Sequence, residues 1–301
     1  MNMIRGAIRV LSPRSSPRSR LMILCLHRVL EQPDPLARDT PTALEFREQI
    51  SWLKKFCTIL PLSEGVMRLR AQSLPANALC ITFDDGYLDN LTVAGPILQE
   101  METPATLFVT TEPLRAGIMW NDLIIEAIRS SQSNVAHALS EIENEITKHK
   151  YLHWRDRWEK ARAFYASRCP NDPDRLMLKP EQLKAVVDCG FEIGAHTINH
   201  PILRTLTDTE AESEIVGSAD ELESMTGTRP TLFAYPNGRL GDDYDVTHRE
   251  IVRKSGFQAA VATNWGAAAA GDSLFELPRF LPWERSEFSY GLRLVKTLIR
   301  S

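Results

Sequence analysis

Short apolar runs alternate with segments of helical periodicity along most of this 301-residue chain. One helical pattern begins after Thr42, where Thr42 and Glu45 have the spacing of a capping box. The repeated order of strand and then helix predicts a parallel sheet or barrel that is covered by helices. The apolar runs that we interpret as strands are residues 21–26, 78–83, 105–109, 191–194, 231–234, 258–262 and 274–277.

Two regions depart from this alternation. Residues 119–171 show helical patterns but no strand candidate, so we expect a helical insertion within a single domain of residues 21–301. Residues 1–20 contain five arginines and no acid, which predicts a flexible basic arm. An anionic membrane surface is one partner for such an arm, and a disordered extension without a partner is the other interpretation.

Composition narrows the class of protein and its compartment. The hydrophobic content of 43% and the charged content of 25% are ordinary for a soluble globular protein, and a net charge of −4 gives no indication of nucleic-acid binding. The run 21–26 is short for a signal peptide, and no run approaches the length of a membrane span. Five scattered cysteines without CxxC spacing favour a reducing compartment. We therefore expect a cytoplasmic protein that contacts the inner membrane surface, if at all, through the basic arm.

Two strand ends carry the residues with the clearest chemistry. Asp84 and Asp85 follow the run 78–83, and His196 and His200 follow the run 191–194. One aspartate and two histidines make a three-ligand metal site with open positions, and the second aspartate stays free to act as a base. The carboxyl ends of strands are also where α/β barrels keep their chemistry. The pattern predicts metal-assisted hydrolysis.

These segments resemble motifs of the polysaccharide deacetylase family (NodB homology domain, carbohydrate esterase family 4). The resemblance depends on Thr-Phe-Asp-Asp-Gly-Tyr at 82–87 followed by His-Thr-Ile-Asn-His at 196–200. Further matching segments are Phe-Ala-Tyr-Pro-Asn-Gly at 233–238, Leu-Pro-Arg at 277–279 and Leu-His-Arg-Val-Leu at 26–30. The last two are typical of a branch that opens with Tyr-His-Arg-Val. The resemblance covers residues 21–282 and is weakest over the helical insertion.

The resemblance implies a distorted (β/α)7-type barrel and a set of site residues. Asp85, His196 and His200 are the implied ligands of a divalent metal, with Zn²⁺ the usual ion of the family. Asp84 is the implied general base that takes a proton from the attacking water. His27 is the implied general acid, because the first strand lies beside the last in a barrel and the chain has no histidine after His248.

Two further positions bear on how the oxyanion is held and how the base is oriented. Asn237 matches a position whose backbone N–H helps to hold the oxyanion, a role that does not depend on the side chain. Ala234 stands where much of the family has an arginine that orients the base. Arg279 is the first candidate to replace that partner of Asp84, because its planar fork suits a carboxylate, and Arg239 is the second.

The expected function is removal of N-acetyl groups from an amino-sugar-containing glycan, or from its lipid-linked or soluble precursor in polysaccharide or envelope biosynthesis. Two alternatives remain open at this stage. One is another C–N hydrolase of the same superfamily, such as a deformylase of a lipid-linked amino sugar or an allantoinase-like amidase. The other is a catalytically decayed protein that binds glycans.

Overall fold

The computed structural model describes residues 2–300, with side chains from Ile4 onward, and Met1 and Ser301 lie outside the described residues. An 8-stranded sheet has the order β7-β6-β5-β4-β3-β1-β8, with β2 paired to the start of β3. The strands are β1 (Arg20–Leu26), β2 (Thr58–Ile59), β3 (Ala78–Phe83), β4 (Ala105–Val109), β5 (Phe191–Ala195), β6 (Leu232–Ala234), β7 (Ala259–Val261) and β8 (Ala268–Ala269).

The described strands pair in parallel except for β1 with β8, which pair antiparallel. β3 is buried along its whole length, as is typical of a parallel strand that is covered on both faces. The sheet curls into a half-barrel with helices around it, which confirms the predicted fold class.

The helices are α1 (Asn2–Leu11), α2 (Ala43–Phe56), α3 (Leu62–Arg70), α4 (Gly95–Glu100), α5 (Thr111–Ala116), α6 (Trp120–Ser131), α7 (Val135–Lys150), α8 (Trp154–Ala166), α9 (Leu183–Asp188), α10 (Asp208–Thr226), α11 (Val246–Lys254) and α12 (Glu287–Ile299). A π-helical turn, Asn90–Ala94, precedes α4. The predicted capping box of Thr42 and Glu45 is present at the start of α2. Among the described helices, none has both the length and the apolar character that crossing a membrane requires.

A short segment after β8 links the two edges of the curled sheet. Leu277 forms a parallel bridge with Val261 of β7, and Phe280 forms one with Leu24 of β1. The segment 277–280 therefore lies in the gap that would otherwise separate the first and last long strands. This position brings the residues of a late chain segment to the carboxyl end of β1.

Residues 119–171 are occupied by α6, α7 and α8, and the described part of this segment contains no strand. The three helices share an apolar cluster that includes Trp120, Ile124 and Trp158. Trp120 also borders a cleft at the carboxyl ends of the strands. The insertion thus forms one wall of that cleft.

The flexible arm expected over residues 1–20 is not what the structure shows. Its first half is the helix α1, in which Ile4 is 7% exposed and Ile8 is 0% exposed. Ile4 lies over Gly291 of α12, where an added Cβ would come within 2.8 Å of it. Arginines alone made this segment look unstructured, but its isoleucines four residues apart form an apolar face that packs on α12. Met1, which the prediction included, lies outside the described residues.

Gly194 of β5 offers a test of the strand packing below the cleft. An added Cβ there would overlap the ring of Phe108, its partner on β4. We expect Gly194→Ala to lower the free energy of unfolding by about 1–3 kcal/mol, because overpacking displaces the ring or the strand. Gly271→Ala is the matched control, since a Cβ there meets nothing within 4 Å. Urea denaturation of both variants measures the difference, and equal stability would contradict the packing described.

Candidate metal centre

Three side chains that the sequence singled out converge at the carboxyl ends of β3 and β5. Asp85 Oδ1 lies 3.6 Å from His196 Nε2 and 3.4 Å from His200 Nε2. One ligand atom from each of the three residues lies within 4.8 Å of the other two. Two imidazole nitrogens and a carboxylate oxygen at this spacing form a group that can hold a metal ion.

The backbone around this cluster is held in an unusual conformation. Asp85 has a φ of 78°, Thr197 of 67° and His200 of 52°, all in the left-handed region that non-glycine residues seldom adopt. Asn237, at the end of β6, has a φ of 59°. Such strain is retained where surrounding contacts fix it, and it is concentrated at functional sites. Here it turns the chain sharply at the ends of three strands, so that their side chains face one another.

The hydrogen bonding of the cluster fits a cation. Asp85 Oδ1 is buried, and it has no hydrogen-bond partner among the described residues. His196 Nδ1 lies 2.7 Å from the carbonyl oxygen of Ala234, which fixes this nitrogen as the donor and leaves the lone pair of Nε2 facing Asp85. A buried acceptor without a donor, beside two ring nitrogens, is the environment that a divalent metal satisfies.

Burial also sets the protonation of the imidazoles. It lowers the pKa of His196 to about 4, and burial together with the neighbouring His196 lowers the pKa of His200 well below its ordinary value. Both rings are therefore neutral at neutral pH and can donate lone pairs. Burial and the adjacent Asp84 raise the pKa of Asp85, and a bound cation would offset that effect.

Asp84 points away from this cluster and is held by Arg279. Arg279 Nη1 and Nη2 donate to the two oxygens of Asp84 at 2.7 Å each, and both side chains are buried. Arg279 Nε donates to the carbonyl oxygen of Ala262 at 3.0 Å. Burial alone would raise the pKa of Asp84, but the guanidinium charge more than compensates and holds the pKa well below its usual range. Asp84 is thus ionised at any ordinary pH.

A second group of potential ligands, Cys25, His27 and Asp84, also lies within 4.8 Å. It is less suited to a metal. Both oxygens of Asp84 are already engaged by Arg279, and burial raises the pKa of the Cys25 thiol far above the range in which a thiolate forms. The first cluster is the candidate metal centre.

His27 and Asn237 face the same cleft. The His27 ring is exposed to the cleft, although the surrounding protein still desolvates it and lowers its pKa, with the negative charge of Asp84 acting in the opposite direction. The backbone oxygen of Asn237 accepts from Thr263 Oγ1 at 2.6 Å, whereas its backbone N–H has no acceptor among the described residues. This N–H is therefore available to a ligand.

All seven residues that the sequence assigned to the site border one cleft of about 720 Å³. Aromatic rings form much of its wall, namely Tyr87, Trp120, Trp265 and Trp283. Aromatic faces of this kind suit the apolar faces of sugar rings. Arg239, the second candidate partner for Asp84, borders the cleft without contacting that carboxylate.

Sequence reasoning missed two residues that hold the histidine segment in place. Arg157 of α8 is fully buried, and its Nη2 donates to the carbonyl oxygen of His200 at 2.5 Å. Glu214 of α10 accepts from the backbone N–H groups of Ile198 and Asn199 at 3.0 and 2.8 Å. Both residues lie in helices where a charged residue is usually exposed, so the sequence gave no sign of their burial.

The match to a protein family agrees with this geometry. The family model described as polysaccharide deacetylase matches residues 71–260, which include the three candidate ligands. The chain belongs to the polysaccharide deacetylase family. This result confirms the predicted resemblance and implies a hydrolase.

The sequence identity between this deacetylase and individual relatives is low. The chain is 24% identical over 237 residues to YxkH of Bacillus subtilis, which is assigned to the polysaccharide deacetylases. This match covers 78% of the chain but 63% of that relative's length. A peptidoglycan deacetylase of Helicobacter pylori is 31% identical over 78 residues, which cover 26% of the chain and 25% of that protein.

Solved structures share the fold. A Streptococcus pyogenes deacetylase in complex with acetate superposes with a TM-score of 0.65 at 21% identity, over 93% of this chain and 98% of the other. IcaB from Ammonifex degensii superposes with a TM-score of 0.63 at 20% identity, over 92% and 97% of the two chains. At these identities the likeness establishes the barrel fold.

The buried pair of Arg279 and Asp84 yields a stability prediction. We expect Arg279→Met to lower the free energy of unfolding by about 3–5 kcal/mol, because the carboxylate is left buried without its partner. Arg253→Met is the control, since Arg253 pairs with Glu250 at the exposed surface, where such pairs contribute about 0–1 kcal/mol. Thermal and urea unfolding compare the two variants. Losses of equal size would contradict the importance given to the buried pair.

Proposed function

We propose that this chain is a metal-dependent hydrolase that removes N-acetyl groups from an amino-sugar-containing glycan, or from a lipid-linked or soluble precursor in polysaccharide or envelope biosynthesis. One observation carries the proposal. The cluster of Asp85, His196 and His200 shares a single cleft with a second carboxylate, Asp84, that is kept ionised by Arg279. Metal ligands and a separate base are what hydrolysis of an amide requires.

Asp85, His196 and His200 would hold the metal, and Zn²⁺ is the ion that this donor set fits best. When bound, the ion supplies Lewis acidity that polarises the acyl carbonyl and acidifies water. Arg157 and Glu214 hold the loop that carries the two histidines, so they support the ligand geometry through its backbone.

The remaining steps belong to protein groups. Asp84 accepts a proton from the attacking water, and its pair with Arg279 keeps it ionised and correctly oriented for that task. The backbone N–H of Asn237 donates to the oxyanion that develops on the carbonyl oxygen. His27 borders the cleft beside Asp84 and donates a proton to the leaving amine.

The substitution of Ala234 for an arginine does not leave Asp84 without a partner. Arg279 supplies that partner from the opposite end of the sequence. This replacement counts against a catalytically decayed barrel, since a protein without catalysis has no need of a buried, ionised carboxylate beside a metal cluster.

Two further proposals concern the location of the protein in the cell. The cysteines within the described residues are free thiols, which is in keeping with a cytoplasmic protein. Contact with an anionic membrane surface was expected through residues 1–20. Because α1 folds onto α12, the exposed arginines of that helix, rather than a flexible arm, would make such a contact.

The metal site is tested by metal content. We expect purified protein to hold about one divalent ion per chain, and Asp85→Ala and His200→Ala to lose it, because each removes one of three ligands. His137→Ala, at an exposed position of α7, should retain the ion. Inductively coupled plasma mass spectrometry measures the ratio. Full metal retention in both ligand variants would refute the assigned site.

The catalytic groups are tested by acetate release from N-acetylated amino-sugar oligomers. We expect Asp84→Asn and His27→Ala to keep the metal and to lower kcat by about a hundredfold or more, because each removes a proton-transfer group. Asp172→Asn, at an exposed position, serves as the control. An undiminished rate in either variant would remove that residue from the mechanism, and a wild-type enzyme that releases no acyl group from any amino sugar would overturn the proposed function.

A further inference from the structure

The catalytic cleft carries an excess of positive side chains. Its lining includes five basic residues and two carboxylates. The basic residues are Arg28, Lys150, Arg239, Arg279 and Arg293, and the carboxylates are Asp84 and Asp85. Of the two carboxylates, Asp84 is neutralised by Arg279, and Asp85 faces the proposed metal.

Three of the five cations have acidic partners. The pairs are Arg28 with Asp89 at 2.7 Å, Arg279 with Asp84 at 2.7 Å, and Arg293 with Glu284 at 2.5 Å. Neither the Lys150 nor the Arg239 side chain forms an ion pair with a carboxylate among the described residues, and the Lys150 ammonium lies 5.4 Å from the centroid of the Tyr151 ring. Both side chains border the cleft without an ion-pair partner.

The structure fixes Lys150 beside the metal ligands. Arg157 donates through Nη1 to the carbonyl oxygen of Lys150 at 3.4 Å and through Nη2 to that of His200 at 2.5 Å. One buried guanidinium therefore joins the last residue of α7 to the loop that carries a candidate ligand. The half-buried Lys150 side chain is directed into the cleft from this anchored position.

Arg239 approaches from the neighbouring turn, two residues after Asn237. Its backbone N–H donates to Asp243 Oδ2 at 3.0 Å, which fixes the turn. Lys150 and Arg239 both border the same cleft, and their positive charges act against the rise that burial gives the pKa of nearby Asp243. That carboxylate binds the backbone of the turn and forms an ion pair with neither side chain.

We propose that Lys150 and Arg239 form a subsite for an anionic group, a phosphate or a carboxylate, that the glycan carries close to its acylated sugar. The inference rests on the proposed function. Two unpaired cations beside a divalent metal repel it and each other, and an anion between them turns this repulsion into attraction. An ammonium together with a planar guanidinium suits the oxygens of either group.

The experiment measures binding and hydrolysis separately. Zinc-loaded protein is titrated by calorimetry with three oligosaccharides of equal length: a neutral N-acetylglucosamine oligomer, the same oligomer with a terminal phosphate, and one with a carboxylate-bearing sugar. The variants are Lys150→Met, Arg239→Gln and the double variant. Lys148→Met, on the exposed side of the same helix, and Arg253→Gln are the matched controls, and Lys150→Arg tests for rescue by charge.

We expect the wild-type protein to bind at least one anionic oligomer about tenfold or more tightly than the neutral one, and each single variant to lose about five- to tenfold of that affinity. Affinity for the neutral oligomer and kcat on it should stay unchanged. Added salt should weaken only the anionic complexes. Whichever anionic oligomer shows these losses identifies the group, and Lys150→Arg should restore most of the affinity.

Other results would overturn the inference. Equal affinity for all three oligomers would do so, as would an anionic preference that survives in the double variant, because the anion would then bind the metal alone. A loss of kcat on the neutral oligomer would assign Lys150 and Arg239 to the chemistry itself. If no oligomer is hydrolysed, the proposed function fails, whereas the affinities still decide the charge preference.

Discussion

The buried bidentate pair between Arg279 and Asp84 is the interaction on which the site depends. It joins the end of β3 to the segment 277–280, which occupies the gap between the two edges of the curled sheet. Loss of either partner would leave an uncompensated buried charge, so the ionised Asp84 depends on the segment that closes the barrel. Because Asp85 follows directly in the chain, fixing Asp84 also fixes the turn that aims Asp85 at the two histidines.

The helical insertion supports the same centre from the other side. Arg157 binds the backbone of the histidine loop, and its guanidinium lies over the ring of Trp120, 4.7 Å from the centroid. Asp122 accepts a hydrogen bond from Tyr87, which directly follows the Asp84–Gly86 turn. The insertion therefore contacts both segments that carry the candidate ligands while it forms a wall of the cleft. This arrangement couples the shape of the cleft wall to the geometry of the candidate ligands.

The sequence was sufficient to predict the features in which a local hydrophobic pattern lies next to residues of recognisable chemistry. Buried parallel strands such as β3 are continuous apolar runs, and the candidate carboxylates and histidines follow such runs directly. Both the barrel and the clustering of Asp85 with the two histidines were therefore predictable. The pairing of Arg279 with Asp84 was predictable because Ala234 stands in place of an arginine, so that Asp84 requires a partner from elsewhere in the chain. What escaped prediction depends on distant contacts. The helix α1 packs against Gly291 of α12. Arg157 is buried where it donates a hydrogen bond to the loop at His200.

The central claim is that Asp85, His196 and His200 bind a catalytic divalent ion. Anomalous X-ray diffraction from crystals of the zinc-loaded protein, recorded on both sides of the zinc absorption edge, tests it most directly. The account predicts one strong edge-dependent peak within bonding distance of those three side chains. A peak between Cys25, His27 and Asp84 instead, or none at the proposed centre in fully loaded crystals, would contradict it.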